Sequence, residues 1–389
     1  MDKLKGVILS AALLIGLEGC SSEIKYELPP GYKPPKNEEQ SEVVIEPSKN
    51  TDLVLIYDGN KARTYRWTPE YLMDYVMYTD EVGKQHWLFD GFLVFDFRDS
   101  GGAGSLEKGY ATGYKDASGK PLASANKSDW QYMIDRWVGD DGVCENLEAT
   151  IDLAIKQIGD LPYQREIFIG IPEAIRHADW SNDKSATAYW GELNGRQLDF
   201  KNISDQEAAV DWFIDTVIKV FDAHHFKNIR LVGFYSINES FSSCADEMRH
   251  CAKYCKGMGY EYYWIPYYRA PGYDLWKSLG FTRAYMQPNY FFQQSANEDQ
   301  VVNTCELAKK HNMYLEFECD DTVYRTEEGR RRFRKYMDGF IEGGCYDMPY
   351  AYYQSGLVFY YMKHGDAPSK QLYHEFCHWM IERPNRLTH

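Results

Sequence analysis

The chain has 389 residues, with 58 acidic against 43 basic side chains and a formal net charge of −15. That length allows one large domain or two ordinary ones, with ample material for a core. An acidic balance without a long basic run excludes nucleic acid as the expected partner.

Lys3 and Lys5 precede an apolar run from Val7 to Leu17, followed by Leu17-Glu18-Gly19-Cys20. A basic start, an apolar core and a small residue before a cysteine resemble a bacterial lipoprotein signal. The run falls short of the roughly 20 apolar residues that span a bilayer. The resemblance implies export and a lipid on Cys20, holding the protein in the cell envelope at the outer membrane or facing the periplasm. Ser21 to Asn50 carries five prolines, many glutamates and few apolar side chains. Such a stretch cannot bury a core and is expected to be a disordered, solvated tether. The remaining cysteines, at 144, 244, 251, 255, 305, 319, 345 and 377, are spread along the chain rather than grouped as a disulfide scaffold, and buried free thiols are expected. Cys251 and Cys255 lie one helical turn apart beside His250, but two further metal ligands are not evident.

From Asp52 onward short apolar runs alternate with amphipathic patterns. Strands are predicted near Leu53–Tyr57, Gly91–Phe97, Ile167–Pro172, Ile229–Tyr235, Glu261–Pro266, Arg283–Gln287, Met313–Glu318 and Met348–Tyr353. Helices fit near Pro69–Thr79, Glu145–Gln157, Asp205–His225, Ser243–Lys256, Tyr273–Leu279, Glu298–His311 and Glu327–Glu342, with one or two more between Leu357 and Glu382. In the third of these, Val210, Phe213, Ile214, Val217, Val220 and Phe221 form one apolar stripe, and Ser204 with Glu207 makes a capping-box pattern. The fold class is α/β. Eight strands each followed by a helix is the count of a (β/α)8 TIM-type barrel, here one large domain over residues 51–389. An open doubly wound sheet shares the alternation and is the rival, although no Gly-x-Gly-x-x-Gly opens a helix after the first strand. The long insert from Arg98 to Gln164 contains the glycine-rich 100–105, expected to be a rim loop.

The segment Met313-Tyr-Leu-Glu-Phe-Glu-Cys-Asp-Asp321 has an unusual alternation. As a strand it puts Leu315, Phe317 and Cys319 on one face and Tyr314, Glu316, Glu318 and Asp320 on the other. Burying such a strand makes sense if the acidic face lines a polar hollow. A second acidic strand end lies at Gly233-Phe-Tyr-Ser-Ile-Asn-Glu-Ser240. Two carboxylates from different strands facing one hollow are the minimum for general acid/base work on an ether-like bond. Other predicted strand ends supply Asp58, Asp96, Arg98, Glu173, Tyr267, Tyr268, Arg269, Gln287, Asn289, Tyr290, Asp320, Tyr352, Tyr353 and Gln354. In a barrel these gather at the C-terminal face.

Asn-Glu closing strand four with a late Glu on strand seven resembles the large clan of retaining glycoside hydrolases built on this barrel. More narrowly, Gly233–Ser240, Ile265-Pro-Tyr-Tyr-Arg-Ala-Pro-Gly-Tyr-Asp274 with Gly280-Phe281 and Met286-Gln-Pro-Asn-Tyr290, and Glu316-Phe-Glu318 resemble the family known as domain of unknown function 4855. The resemblance covers most of the chain after the tether and implies the barrel and a glycan context. It implies Glu239 as acid/base, Asn238 beside it on a sugar hydroxyl, and a nucleophile on strand seven. Glu318 is favoured there over the deeper Glu316 because it lies nearer the strand end. Asp58, Asp96, Tyr267, Arg269, Gln287, Asn289, Tyr290, Asp320 and Tyr352 are the expected substrate-binding set, with Tyr267, Tyr290 and Tyr352 stacking on sugar or orienting the nucleophile. The structural alternative is that Glu316 or Glu318 pairs with Arg230, Arg269 or Arg283. The functional alternative is a non-catalytic glycan-binding lipoprotein on the same barrel. His374-Glu375-Phe-Cys-His378 matches the zinc-hydrolase pattern His-Glu-x-x-His, yet it also reads as the last packing helix of a barrel. The expected partner is a carbohydrate, with membrane contact through the anchor alone, and no cofactor or metal is expected.

Overall fold

The computed structural model describes residues 45–59, 65–97, 108–111, 122–175, 189–241, 244–384 and 386. Cys20, the apolar leader, most of the proline-rich stretch, Arg98 and the glycine-rich 100–105 lie outside the described residues.

Eight strands close into one parallel barrel: β1 (Asp52–Tyr57), β2 (Gly91–Phe95), β3 (Arg165–Ile171), β4 (Ile229–Ser236), β5 (Glu261–Trp264), β6 (Arg283–Met286), β7 (Tyr314–Glu318) and β8 (Tyr350–Tyr353). Each pairs with its sequence neighbours, and β1 joins both β2 and β8. This is the TIM-type barrel, and the open-sheet rival is excluded because no barrel strand is left with a free edge. The strands are short, apolar and aromatic, and nearly all their residues are buried, as parallel strands covered on both faces must be. Between β3 and β4 the register shifts at Leu231/Gly233. A Cβ at 233 would lie 2.3 Å from the Glu261 carbonyl oxygen, so glycine permits this close strand approach.

The covering helices are α1 (Pro69–Val76), α2 (Lys127–Val138), α3 (Val143–Ile158), α4 (Ile203–His224), α5 (Ala245–Gly257), α6 (Gln300–His311), α7 (Thr322–Arg325), α8 (Glu327–Glu342), α9 (Val358–His364) and α10 (Ala367–Ile381). The apolar stripe expected on α4 is buried at Val210, Phe213, Ile214, Val217 and Phe221. The expected Ser204–Glu207 capping box does not form. The helix starts one residue before Ser204, and the buried Asp205 carboxylate instead takes the backbone N–H of Asp199 at 2.9 Å. The helix predicted over Tyr273–Leu279 is a single 3-10 turn at Tyr273–Leu275, framed by left-handed glycines at 272 and 280. Within the long insert, α2 is a helix that the strand count passed over. Asn126 and Asp129 close a reciprocal capping box at its start, and Trp130, Met133, Ile134, Trp137 and Val138 are buried along it. No helix among the described residues is long and apolar enough to cross a membrane. All eight cysteines after Cys20 are free and buried, as expected.

The first and last described segments of the chain seal the N-terminal face of the barrel. Ser48 and Asn50, assigned by composition to the tether, are docked there, with Asn50 1% exposed. The Glu166 carboxylate accepts bonds from the Ser48 hydroxyl, the Lys49 N–H at 2.9 Å, the Asn50 N–H at 3.1 Å and the Arg230 guanidinium at 2.6 Å. Arg283 donates to the Asn50 carbonyl at 3.0 Å. From the other end, Arg383 and Arg386 both pair with the buried Asp52. Burial alone would raise the Glu166 pKa, but the donors from Ser48 and Lys49 and the charge of Arg230 hold it below its ordinary value. A carboxyl with a depressed pKa adds stability above its unfolded pKa and loses it as pH falls through the folded one. Glu166→Gln is therefore expected to lower stability at pH 7 by about 2–4 kcal/mol. In urea unfolding the deficit should shrink towards pH 3, and a deficit independent of pH would contradict the assignment.

Candidate active site

On β7 the alternation read from the sequence is realised. Phe317 points outward, with its ring 4.7 Å from that of Phe333 and 5.5 Å from that of Phe376. Glu316 and Glu318 point into the barrel and are 1% and 2% exposed. Glu318 Oε2 accepts the Tyr336 hydroxyl at 2.7 Å and the Asn289 N–H at 2.6 Å. Tyr336 lies on α8 and accepts the Phe291 N–H at 3.1 Å, so its hydroxyl is fixed from both sides. No hydrogen bond to the Glu316 carboxyl is formed among the described residues.

Glu239 lies three residues past the end of β4 and is partly buried, with the Gln287 side chain near it. Gln287 Oε1 accepts from the Asn289 amide at 3.1 Å, and Asn289 Oδ1 accepts the Tyr268 N–H at 2.6 Å. Asn289 holds a left-handed φ of 53°, which turns its N–H onto Glu318 while its side chain reaches back to Gln287. Amides after β6 thus reach from Gln287 through Asn289 to the strand-seven carboxyl. The charge of Glu239 bears on both Glu316 and Glu318, as expected of carboxyls near one another at the C-terminal face.

Burial raises the pKa of all three. Glu316 is driven well above the ordinary range by desolvation and then by Glu318 and Glu239. Glu318 is pushed up to about 8 by burial, with its Tyr336 and Asn289 donors opposing the shift. The alternative arginine pairings of Glu316 and Glu318 do not form among the described residues. Arg230 and Arg283 serve the opposite face, and the exposed Arg269 lies over the Tyr268 ring at 5.2 Å.

The remaining expected residues divide. Asp58 is buried at the mouth with Arg136 of α2 at 2.7 Å, and the Trp137 indole donates to its carbonyl at 2.7 Å. Burial raises the Asp58 pKa against Arg136, and nearby Asp96 adds to the rise. Asp96 accepts the Phe97 N–H at 2.8 Å. Tyr267 is half-buried and feels the charge of Glu239. Asn238 accepts the Trp264 indole N–H at 2.6 Å through its carbonyl. The Asn289 N–H holds Glu318, and Gln287 bonds the Asn289 side chain.

Three expectations are corrected. Tyr352 faces outward, fully buried, and its hydroxyl donates to Asp52 at 2.6 Å on the opposite face of the barrel. Strand parity explains this, because Tyr350 and Tyr352 share the helix-facing side and leave Ala351 and Tyr353 inside. Tyr290 is also fully buried, packed under the Arg332 guanidinium at 4.8 Å, and offers no face to a sugar. Asp320 caps the following turn, accepting the Thr322 N–H at 2.9 Å. The aromatic rim is instead Tyr57, Phe97, Phe292 and Tyr353, with Tyr353 at 5.6 Å from Tyr57 and 5.5 Å from Phe292. Arg136 and Tyr336 were not anticipated, since both lie mid-helix far from any strand end. The capping box at Asn126 would have placed Arg136 on a helix, but not beside Asp58.

In the His-Glu-x-x-His segment both histidines face Glu81, His374 at 3.9 Å and His378 at 2.8 Å, while Glu375 turns to Arg334 at 2.7 Å. His374 also bonds the Tyr78 hydroxyl at 2.8 Å. His250 is bonded to Asp211 at 2.7 Å. No group of three His, Cys, Asp or Glu side chains among the described residues is arranged to hold a metal. A shallow groove of about 500 Å³ lined by Lys127, Trp190 and Trp212 lies on the helix layer, outside the barrel mouth.

The profile of the family described as Domain of unknown function (DUF4855) matches residues 52–378. The chain belongs to this family. The DUF4855 match opens on the first residue of β1 and ends within α10, so it takes in the whole barrel and all three carboxyls. No curated protein matches the chain. Among solved structures it is similar to a Bacteroides thetaiotaomicron VPI-5482 protein provisionally assigned as an alpha-L-fucosidase. That likeness has 11% identity, covers 90% of this chain and 99% of the other, and has a TM-score of 0.40.

A carboxyl whose folded pKa is raised contributes stability below its unfolded value, near 4.5, and loses it as pH rises through the folded value, about 8 for Glu318. The fold is therefore expected to weaken between pH 5 and 9. Glu316→Gln should flatten that decline and gain roughly 1–3 kcal/mol at pH 9 in urea unfolding. Tyr336→Phe, which removes a bond favouring the carboxylate, should raise the Glu318 pKa further in a carboxyl carbon NMR titration. Unchanged titration in Tyr336→Phe would remove that tyrosine from the site.

Proposed function

We propose that this DUF4855 protein is a glycoside hydrolase that cleaves a poly- or oligosaccharide with two carboxyls, Glu239 as acid/base and Glu318 as nucleophile. The reading is supported by Glu316 and Glu318, buried on the inward face of strand seven, and by Glu239 just past strand four, whose charge bears on both. Burial without a cationic partner is what raises a carboxylic acid towards neutrality, as a proton donor to a leaving oxygen requires. Of the three carboxyls, Glu318 has two fixed donors, which favour its charged form and fix its direction, as a nucleophile needs. Glu316, with no such donor, is the better holder of a proton. A retaining course needs the working carboxyls about 5–5.5 Å apart, and the charge coupling of Glu239 to Glu318 supports close approach. The partly exposed rings of Phe97, Phe292 and Tyr353 would stack against sugar faces at the entrance.

Screening purified protein against a glycan panel identifies the substrate. On that substrate Glu239→Gln should lower turnover by about 10²–10⁴ with binding largely kept. Unimpaired turnover in the variant would end the assignment.

The reading includes export and anchoring through a lipid on Cys20, supported by the basic start, apolar core and Gly19-Cys20. In a bacterial host, Cys20→Ser should abolish fatty-acid labelling and shift the protein from the membrane to the soluble fraction. Labelling that persists in Cys20→Ser would refute the anchor.

A further inference from the structure

Of the eight buried cysteines, Cys305 and Cys345 meet where α6 packs on the end of α8. Cys305, on α6, is fully buried, and its Sγ reaches the Gly339 carbonyl of α8 at 3.9 Å. Cys345, in the turn after α8, is 1% exposed. Its Sγ lies 3.7 Å from the Gly343 carbonyl and 3.9 Å from the carbonyl of Cys305 itself. A Cβ placed on Gly343 would lie 2.5 Å from Cys305 Sγ and 2.6 Å from Cys305 Cβ. Both sulfurs thus lie against residue 343, and glycine leaves no side chain there to separate them. The backbone around Cys345 is fixed, with its N–H on the Phe340 carbonyl at 2.8 Å and its carbonyl taking the Met348 N–H at 3.0 Å. Lys309, one turn along α6 from Cys305, donates to the Gly343 carbonyl at 2.7 Å and so brings an ammonium to the same spot. The adjacent Cys305 thiol and then the Lys309 charge hold the Cys345 pKa below its ordinary value against burial. Burial without such neighbours pushes Cys144 up.

We propose that Cys305 and Cys345 are a modification site, a reactive dithiol that closes to a reversible disulfide on meeting an exchangeable disulfide of the glutathione class. The Cys345 thiolate attacks one sulfur of that disulfide, expels the other half as a thiolate and is left as a mixed disulfide. Cys305 Sγ then attacks Cys345 Sγ, and the Cys305 proton passes to the departing small thiolate. Two protein thiols are oxidised by two electrons, and one small disulfide is reduced to two thiols. Exposed Gly344 precedes Cys345, so opening of this single turn uncovers the attacking sulfur. The new bond would close the chain from residue 305 to residue 345, a loop that contains β7 and α8 and with them Glu318 and Tyr336. Such a cross-link stabilises chiefly by restricting the unfolded chain. The pair takes no part in the proposed glycoside chemistry.

The test treats the purified, folded protein with oxidised glutathione at pH 8, quenches in acid, alkylates the remaining thiols under denaturing conditions and maps peptides without reduction. A Cys305–Cys345 cross-link, lighter by two hydrogens than the separate peptides, is expected, with the other cysteines alkylated. Tm should rise by about 4–8 °C and return on adding dithiothreitol. Cys305→Ala and Cys345→Ala should each abolish both the cross-link and the rise. The proposal is overturned if both thiols of the wild-type protein remain alkylatable, if only a glutathione adduct accumulates, or if either cysteine pairs elsewhere. The wild-type map alone decides this, so a variant that fails to fold does not blunt the test.

Discussion

The two-sided character of β7 is the constraint on which the site depends. Leu315, Phe317 and Cys319 are fully buried, and the Phe317 ring touches rings from α8 and α10. With that face committed to the helix layer, Glu316 and Glu318 can point only into the barrel. A slip of one residue would bury the carboxylates against Phe333 and Phe376 and put phenyl rings in the hollow, so the register is strongly specified. The cost of desolvating the inner carboxyls is carried by the outer packing, in which a single buried aromatic contributes on the order of 2–3 kcal/mol.

The two faces of the barrel handle buried charge in opposite ways. On the N-terminal face Asp52 is met by Arg383 and Arg386, and Glu166 by Arg230 and the docked Ser48–Asn50 segment. Every one of these carboxylates has a cation and donors, and the pKa values of Asp52 and Glu166 fall despite burial. On the C-terminal face Glu239, Glu316 and Glu318 share no cation, and their pKa values rise. A division into paired carboxylates at Asp52 and Glu166 below and unpaired carboxyls above fits a barrel whose lower face supplies stability and whose upper face carries the candidate site. It also implies that the fold is held most firmly at intermediate pH, since the lower network weakens in acid and the upper cluster in base.

Precision at the upper face comes from outside β4 and β7. Gln287 and Asn289 follow β6, Tyr336 reaches in from α8, and Arg136 from α2 fixes Asp58. Asn289 adopts a left-handed backbone that places one N–H on Glu318 and one side chain between Tyr268 and Gln287. Such supporting groups decide whether two carboxyls are merely neighbours or are held in a working geometry.

The linear chain was sufficient to determine the eight strands, the parallel barrel and the two acidic strand ends. These follow from local periodicity: alternation at Glu316–Glu318 and the apolar stripe from Val210 to Phe221 are properties of consecutive residues. Alternation also contained the warning about Tyr352, whose parity with Tyr350 assigns it to the helix side. What the chain could not disclose were contacts between residues far apart in number, such as Arg136 with Asp58, Tyr336 with Glu318, and Ser48 with Glu166. Nor could it tell that the end of the proline-rich stretch docks under the barrel, because composition reports what a segment can bury alone and not what another segment offers it. Whether a carboxyl finds a cation is decided by closure of the barrel, which paired Asp58 with Arg136 and Glu166 with Arg230 but left Glu316 and Glu318 without an ion pair among the described residues.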